Sequence, residues 1–259
     1  MVEDLAQRPT VLILTPMKSA ARYLDGYFAG LQALTYPHEL LSLGILEGDS
    51  DDDTYAQLQV LMGLACKHFQ SKHLFKRDFG KVIPVHLPRH TAVYQSARRA
   101  VLARARNHLL FNALRTQDWV LWLDADVIAY PPDIIERLIA LGLDIVHPHC
   151  VTAYGGDTFD RNAWADHGRT YMQDLRGRER VRLDSVGGTM LLVRADRHRD
   201  GLVFPPFFYG AQSRWARIPH PSRGHLVGEI ETEGFALMAK DMGIECWGLP
   251  DLEILHAPD

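Results

Sequence analysis

Short apolar runs alternate with longer stretches of helical periodicity throughout the first half of this sequence. The apolar runs predict four strands, at 10–16, 40–50, 81–88 and 118–128. The periodic stretches between them predict three helices, at 19–34, 54–72 and 92–114. Strands that alternate with helices form a parallel sheet with helices on both faces. The sequence therefore predicts an α/β fold with a Rossmann-like, mostly parallel central sheet, whose ligands bind beyond the carboxyl ends of the strands.

The second half of the sequence is less regular. Its predicted regular elements are two helices, at 132–142 and 229–243, and three stretches of strand, at 143–150, 184–196 and 244–259. Residues 152–182 are polar and rich in Arg and Gly, and we expect them to run over the surface, while 205–229 is predicted as a long loop. The whole length, 1–259, fits a single domain with two halves, 10–130 and 131–259.

The composition excludes several classes of protein. Hydrophobic residues make up 47% and charged residues 23% of the chain, which is typical of a globular core and not of a disordered protein. A net charge of −4 indicates no basic surface, so we expect no nucleic-acid partner. The three cysteines include no CxxC pair, and an odd number does not suit a disulfide framework. No apolar run reaches 18 residues, so no integral membrane segment is expected.

Asp124 and Asp126 come directly after the apolar run 119–123. Unpaired carboxylates at the end of a buried strand are costly, and a divalent cation would compensate for that cost. Residues two apart on a strand point to the same side, so both carboxylates could face one ion that bridges to a diphosphate. A DxD triplet also occurs in solvated turns, which remains the alternative. The place of the triplet at the end of the fourth predicted strand favours the metal site. Nucleotide-sugar transferases of the GT-A type carry such a triplet at this position.

A histidine near the end of the sequence and a block of three glutamates are further candidates for the same site. His256 follows an apolar pair near the end of the sequence and is either a third metal ligand or a histidine of the core. A mixed Asp and His ligand set suits Mn²⁺ better than Mg²⁺. Glu229, Glu231 and Glu233 crowd the start of a predicted helix, where they complement its dipole. Three glutamates exceed what a helix start requires, so one of them could face a sugar or an acceptor hydroxyl.

Charged residues elsewhere are candidates for contacts to a nucleotide. Arg99 and Arg106 share one face of the helix predicted at 92–114 and could neutralise phosphate, or simply form a solvated basic face. Asp49 and Asp51 follow the second predicted strand and could bind a base or ribose, or form an acidic turn.

Small and turn-forming residues mark the remaining loops. The paired glycines Gly187 and Gly188 permit a close backbone approach, either in a bulge or along an acceptor cleft. Thr15 and Pro16 end the first predicted strand, at the same edge of the sheet as the other candidates. The sequence contains no Ser–His–Asp pattern, no Walker loop and no GxGxxG.

Several blocks in order along the chain resemble the fungal mannan-polymerase subunit family, glycosyltransferase family 62. They are the stretch from VLILTPMKS to GDSDDDT at 11–54, RRAVLARARNHLLFNAL at 98–114, DWVLWLDADV at 118–127, DSVGGTMLLVRADRHRDGLVFPP at 184–206 and EIETEGFALMAKDMGIECWGLPDLEILH at 229–256. The resemblance implies a GT-A fold, GDP-mannose as the donor, Mn²⁺ as the cofactor with Mg²⁺ as the alternative, and transfer with retention to form α-linkages.

The resemblance also implies roles for individual residues. The metal ligands implied are Asp126 and His256, with Asp124 beside them. It also implies that Glu231 and Glu233 lie near the donor sugar, and with Asp124 they form the predicted catalytic set. The nucleotide-facing loops contribute Thr15, Pro16, Asp49 and Asp51. With the candidates found above, the predicted nucleotide-sugar-binding set is Thr15, Pro16, Asp49, Asp51, Arg99, Arg106, Asp124, Gly187 and Gly188.

The predicted function is therefore a metal-dependent retaining mannosyltransferase with a nucleotide-binding half, 10–130, and an acceptor-side half, 131–259. Departure and attack on the same face of the sugar are favoured, and a double displacement through Glu231 or Glu233 is the alternative. The donor could instead be another nucleotide-sugar such as a UDP-sugar, or the chain could be a non-catalytic nucleotide-sugar-binding subunit.

The sequence differs from the fungal pattern in lacking an N-terminal membrane anchor and a lumenal stem. We therefore expect a cytoplasmic protein, peripheral at the membrane, that decorates a glycan or glycolipid acceptor. A homo- or hetero-oligomer is compatible with this expectation. Acceptor specificity is expected in 152–182 and 205–229, which match the family least.

Overall fold

The computed structural model describes residues 8–80, 92–217 and 228–258. In the first half, the strands are β1 (Val11–Met17), β2 (Leu41–Glu47), β3 (Ser71–Lys76) and β4 (Trp119–Leu123). The helices between them are α1 (Leu24–Gln32), α2 (Thr54–Leu64) and α3 (Ala92–Ala113).

The second half adds shorter elements. Its strands are β5 (Val127–Ala129), β6 (Ile145–Val151), β7 (Trp164–Ala165), β8 (Thr170–Tyr171), β9 (Val181–Leu183), β10 (Met190–Arg194), β11 (Tyr209–Gly210), β12 (Gly228–Glu229) and β13 (Cys246–His256). Its helices are α4 (Ile134–Ala140), α5 (Ala195–Arg199) and α6 (Glu231–Asp241).

One nine-stranded sheet runs through both halves of the described chain, in the order β3-β2-β1-β4-β10-β6-β13-β5, with β9 paired to β13. The strands β1 to β4 are mutually parallel, and β6 is parallel to β13. Strand β10 lies antiparallel between β4 and β6, and β5 and β9 are antiparallel to β13. The predicted mostly parallel sheet with helices on its faces is confirmed.

The central strands are apolar on both sides because the sheet is covered on both faces. Along β1, Val11 and Ile13 belong to one core and Leu12 and Leu14 to the other. Helices α1, α2 and α4 pack in the first core, and α3 and α6 in the second. These two layers hold the carboxyl ends of β1 and β4 side by side, where the candidate residues lie.

The prediction of a helix at 54–72 is wrong for the second part of that range. Helix α2 ends at Leu64, Cys66 adopts a left-handed φ of 53°, and the chain then enters β3 at the edge of the sheet. An edge strand is half exposed, so SKHLFK carries little of the apolar signal by which strands are recognised. The strand predicted at 81–88 lies outside the described residues.

Two other predicted strands are shorter than expected. The run at 118–128 is interrupted, because β4 ends at Leu123 and residues 124–126 form a turn before β5. Asp124 and Asp126 therefore do not share a face of a strand, and the alternation of side chains does not apply to them. The strand at 184–196 is confined to β10, and residues 186–189 are outside any strand.

The stretch 152–182 was expected to run over the surface, and that expectation is wrong for part of it. Ala163, Met172 and Leu175 are buried in the second core, and β9 joins the main sheet. The apolar residues are sparse in this sequence, so only tertiary packing reveals which of them are covered. Within the described part of the chain, no helix has both the length and the apolar character needed to span a membrane.

We expect Gly44→Ala to lower the free energy of unfolding by about 1–3 kcal/mol, because there is no room for a methyl group. A Cβ at Gly44 on β2 would lie 2.8 Å from Leu14 Cδ2 and 3.0 Å from Ala113 Cβ. Denaturant unfolding measures the change. Gly63→Ala in α2 is the matched control, since a Cβ there meets nothing within 4 Å, and it should raise stability by up to about 1 kcal/mol. Equal effects of the two variants would contradict this account of the packing.

Candidate functional site

A cleft of about 350 Å³ opens beyond the carboxyl ends of β1 and β4. Its described lining comes from the end of β1, the following turn, the exposed side of α3 and the turn after β4. The lining residues are Pro16, Met17, Lys18, Ala20, Tyr23, Gly80, Arg98, Val101, Leu102, Arg106, Asp124, Ala125 and Asp126. The predicted residues Pro16, Arg106, Asp124 and Asp126 are thus brought together in one cleft.

Arg106 occupies the inner wall of this cleft and is only 4% exposed. Its Nη2 donates to Asp124 Oδ1 at 3.3 Å and to the Gly188 carbonyl at 3.4 Å, and its Nε lies 3.3 Å from Glu231 Oε1. The guanidinium also lies over the rings of Trp122 and Phe204. Its buried Nη1 has no hydrogen-bond partner among the described residues. A buried cation with an unused donor is suited to bind an anionic ligand.

Asp124 lies partly buried at the end of β4. Burial raises the pKa of its carboxyl to about 7; the Arg106 guanidinium opposes that rise, and Asp126, Asp160 and Glu231 add to it. Several carboxylates therefore share a confined space with one arginine. Such crowding of like charge is favourable only when cations are present, and it is common at functional sites.

Asp126 meets His256 across the turn that follows β4. His256 Nε2 lies 3.2 Å from Asp126 Oδ1, and its Nδ1 lies 2.6 Å from the Ala257 carbonyl oxygen. The Ala257 N–H donates to the Asp126 carbonyl at 2.8 Å, so the backbone clamps the two segments together. Burial lowers the pKa of His256, but the Asp126 carboxylate outweighs burial and raises it.

The Asp126–His256 pair fits a divalent cation. A carbonyl only accepts, so the Nδ1 contact places a proton on Nδ1. In the imidazolium form Nε2–H donates to Asp126 Oδ1 at 3.2 Å, and in the neutral form Nε2 presents a lone pair that a divalent cation between the two atoms would bind. Neighbouring ligands in an octahedral site with bonds of about 2.1 Å are about 3.0 Å apart, close to this spacing.

Asp124 does not complete a third ligand in this arrangement, since its carboxylate contacts Arg106. Among the described residues there is no group of three or more His, Cys, Asp or Glu that could hold a metal ion. The structure therefore brings Asp126 and His256 together as a pair, and directs Asp124 to Arg106.

Glu231 and Glu233 begin α6 and are both buried. Glu231 lies between Arg106 and Arg99, in a left-handed conformation with a φ of 59°. Glu233 accepts from Arg99 Nη1 at 2.6 Å and from Trp164 Nε1 at 3.3 Å. The structure therefore places Arg99 against the start of α6, and the neighbouring Arg98 lines the cleft in its place.

The paired glycines make room for charged side chains. A Cβ at Gly188 would lie 2.3 Å from Arg106 Nη2, and a Cβ at Gly187 would lie 1.9 Å from Asp160 Oδ2. Asp160 Oδ2 accepts from the N–H groups of Gly188 and Thr189 and from the Thr189 hydroxyl. These glycines therefore act through Asp160 and Arg106, which they allow to approach the backbone.

Sequence reasoning missed Asp160. Burial would raise the pKa of this carboxyl, but the buried His147 imidazole 3.6 Å away and the Thr189 donors outweigh burial and hold it well below its usual range. Asp160 lies in the stretch interpreted as a surface excursion, far in sequence from Gly187. No local pattern singles it out, because its partners come from a different part of the chain.

The predicted residues of the nucleotide-facing loops occupy supporting positions. Thr15 is buried, and its hydroxyl lies 2.6 Å from the Tyr27 hydroxyl. Asp49 has a φ of 58° and accepts the N–H groups of Phe79 and Gly80, at the rim of the cleft. Asp51 is exposed. None of these three is among the described residues that line the cleft.

Known structures share this architecture. The mannosyltransferase PcManGT from Pyrobaculum calidifontis, solved with GDP-Man and Mn²⁺, has a TM-score of 0.57 and 17% identity over 98% of this chain and 58% of its own. TarS 1–349 of S. aureus, solved with UDP, has a TM-score of 0.56 and 12% identity over 96% of this chain and 61% of its own. The fold is the GT-A glycosyltransferase fold that the sequence predicted.

The particular family follows from the sequence matches. The Anp1 family model matches residues 2–174 and 167–208. Over 98% of its own length, the chain is 30% identical to the mannan polymerase II complex anp1 subunit of Schizosaccharomyces pombe. It spans 65% of the length of that protein. It is also 30% identical to the mannan polymerase complex subunit MNN9 of Candida albicans, and spans 76% of it. The chain belongs to the Anp1 family, and the predicted resemblance to mannan-polymerase subunits is confirmed.

We expect Arg106→Met to lower the free energy of unfolding by on the order of 3–5 kcal/mol, because it leaves buried carboxylates without their cation. Thermal and denaturant unfolding measure the change. Arg98→Met is the control: Arg98 lines the same cleft but is exposed, so its loss should change stability by less than about 1 kcal/mol. A loss as small for Arg106 as for Arg98 would show that the carboxylates do not depend on Arg106.

Proposed function

We propose that the chain is a metal-dependent, retaining glycosyltransferase that moves mannose from GDP-mannose to a glycan or glycolipid acceptor and forms an α-linkage. Membership of the Anp1 family and the GT-A fold support the class of reaction. The observation that carries the proposal is the cleft itself. Asp126, which pairs with His256 and is proposed with it to hold a cation, lines one side, and the buried Arg106, whose Nη1 has no hydrogen-bond partner among the described residues, lines the other.

This arrangement matches the charge of a nucleoside diphosphate. Arg106 would hold a phosphate oxygen through its free Nη1, and Lys18 and Arg98 add positive charge along the same cleft. When bound, a divalent cation would neutralise charge that develops on the departing diphosphate. The mixed Asp and His donors favour Mn²⁺ over Mg²⁺. Asp124, held by Arg106, would orient the metal or the ribose.

The burial of the two glutamates bears on how the sugar is transferred. The side chains of Glu231 and Glu233 are 4% and 0% exposed, and both are paired with arginines. A nucleophile has to reach the anomeric carbon, and neither carboxylate lines the cleft. This favours departure and attack on the same face of the sugar over a double displacement. Glu231 then acts by holding Arg106 and Arg99 in place.

Both halves of the chain contribute to the proposed site. Residues 10–130 form the nucleotide-binding half, and His256 reaches it from 131–259, the proposed acceptor-side half. The relatives are named as subunits of mannan polymerase complexes, so assembly with another chain belongs to the proposal. The acceptor class and the cytoplasmic, membrane-peripheral location stay predictions from the sequence.

Asp126→Ala should abolish the Mn²⁺-dependent part of GDP binding, because it removes one of the two protein ligands. Calorimetric titration of GDP with and without Mn²⁺ measures this, and the melting temperature reports whether the fold is intact. Asp25→Ala, which removes an exposed carboxylate on α1, is the matched control and should bind as the unmodified chain does. A folded Asp126→Ala variant with unchanged Mn²⁺-dependent affinity would remove Asp126 from the proposed metal site.

GDP should compete for the cleft better than UDP, and GDP-mannose better than UDP-sugars. This expectation rests on the family and not on a base contact in the described residues. Competition binding in Mn²⁺ measures the order, and a donor-hydrolysis assay with and without Mn²⁺ tests for catalysis. A preference for UDP would assign a different donor to the same cleft, and tight binding with no turnover of any donor would favour a non-catalytic nucleotide-sugar-binding subunit.

A further inference from the structure

The aromatic ring of Phe159 lies flat against the imidazole of His256. The ring centroids are 3.8 Å apart and the planes differ by 22°. We infer that Phe159 is a positioning residue for the cation site: it fixes the plane of the His256 ring so that Nε2 faces Asp126. The inference rests on the proposed function, because it concerns the metal pair of that site.

The stack completes a set of restraints on His256. The Ala257 carbonyl accepts from Nδ1, and the Ala257 N–H bond to the Asp126 carbonyl determines how far apart the two segments lie. Rotation of the imidazole about its bond to Cβ would move Nδ1 away from the Ala257 carbonyl and Nε2 away from Asp126 Oδ1. A ring packed on its face at 3.8 Å opposes the same rotation by steric contact, which does not depend on where the protons are. Phe159 therefore adds a restraint that remains when a cation replaces the proton between Nε2 and Asp126.

Phe159 can do this because its own position is held from both sides. Its N–H donates to the Cys150 carbonyl on β6 at 2.8 Å. The preceding Thr158 contacts His149 through its hydroxyl, and the following Asp160 accepts from Gly188 and Thr189. Three consecutive residues are thus tied to β6 and to the turn before β10. A ring on such a rigid segment can define the orientation of another side chain.

Core filling alone would predict a different behaviour. Phe159 packs against the first core and is only partly buried. If it served only to fill space, any apolar replacement would alter stability and leave cation binding unchanged. If it orients His256, loss of the flat ring costs cation affinity as well, because the ligand pair must then be ordered at the moment of binding.

Phe159→Leu tests this inference, with Phe159→Tyr as the variant that keeps the ring. Mn²⁺ is titrated into protein saturated with GDP, and free Mn²⁺ is followed by electron paramagnetic resonance. We expect Phe159→Leu to weaken Mn²⁺ binding about tenfold, as changes next to metal ligands commonly do, and Phe159→Tyr to bind within about twofold of the unmodified chain. Phe69→Leu is the matched control, since Phe69 packs edge-on against His38 in the same core, at the opposite end of the sheet.

A second readout needs no metal. The His256 Cε1 proton, identified by comparison with His256→Gln, should resonate upfield in the unmodified chain because of the Phe159 ring current. It should move downfield in Phe159→Leu and stay in place in Phe69→Leu. Should Phe159→Leu fail to fold, Phe159→Met takes its place, with the same expected losses.

The outcomes separate the inference from the proposed function. Unchanged Mn²⁺ affinity in Phe159→Leu, or a loss no greater than in Phe69→Leu, would overturn the positioning role while leaving the metal site intact. Failure of the unmodified chain to bind Mn²⁺ with GDP would overturn the metal site of the proposed function. The resonance of His256 would then still decide whether the stack exists in solution.

Discussion

The buried guanidinium of Arg106 is the interaction on which the site depends. It joins helix α3 to Asp124 at the end of β4, to the Gly188 carbonyl and to Glu231 at the start of α6. Removing charges from water is costly, and a buried ion pair is maintained only if the geometry around it is good. The glycine at 188 and the left-handed backbone at Glu231 are the local conditions that allow this approach. One donor of Arg106, Nη1, is buried and has no hydrogen-bond partner among the described residues.

The last strand of the described chain completes the cleft. β13 runs parallel to β6 for most of its length and pairs with β5 at its end, which carries His256 back to the turn after β4. The Ala257 N–H and the Phe159 ring then hold that histidine against Asp126. The Asp126–His256 pair, proposed to hold a cation, is held in place by contacts within the chain. Preorganisation of this kind reduces the ordering that binding would otherwise require.

Much of the fold could be predicted, and the failures have physical causes. β1, β2 and β4 are apolar on both sides, so their runs stand out, whereas β3 is a half-exposed edge strand that was not predicted, and its first two residues were assigned to the preceding helix. The direction of β10 could not be predicted, since antiparallel insertion leaves no mark in a five-residue strand of which four residues are buried. In the site, Asp126 and Arg106 were predicted from their spacing, while Asp160 and Phe159 were missed because their partners are distant in sequence.

The sequence by itself determined the family, the alternation of strand and helix, and the chemical types of the site residues. These are local properties, since apolar periodicity, an acidic triplet and a block of glutamates can each be recognised without knowledge of neighbours. Only the tertiary structure decided what each charge does. It assigned Glu233 and Arg99 to each other, Asp124 to Arg106, and His256 to Asp126. Pairing of charges depends on distances between different elements, which are 18 residues apart for Arg106 and Asp124 and 134 for Arg99 and Glu233, and those distances exist only once the sheet has brought the elements together.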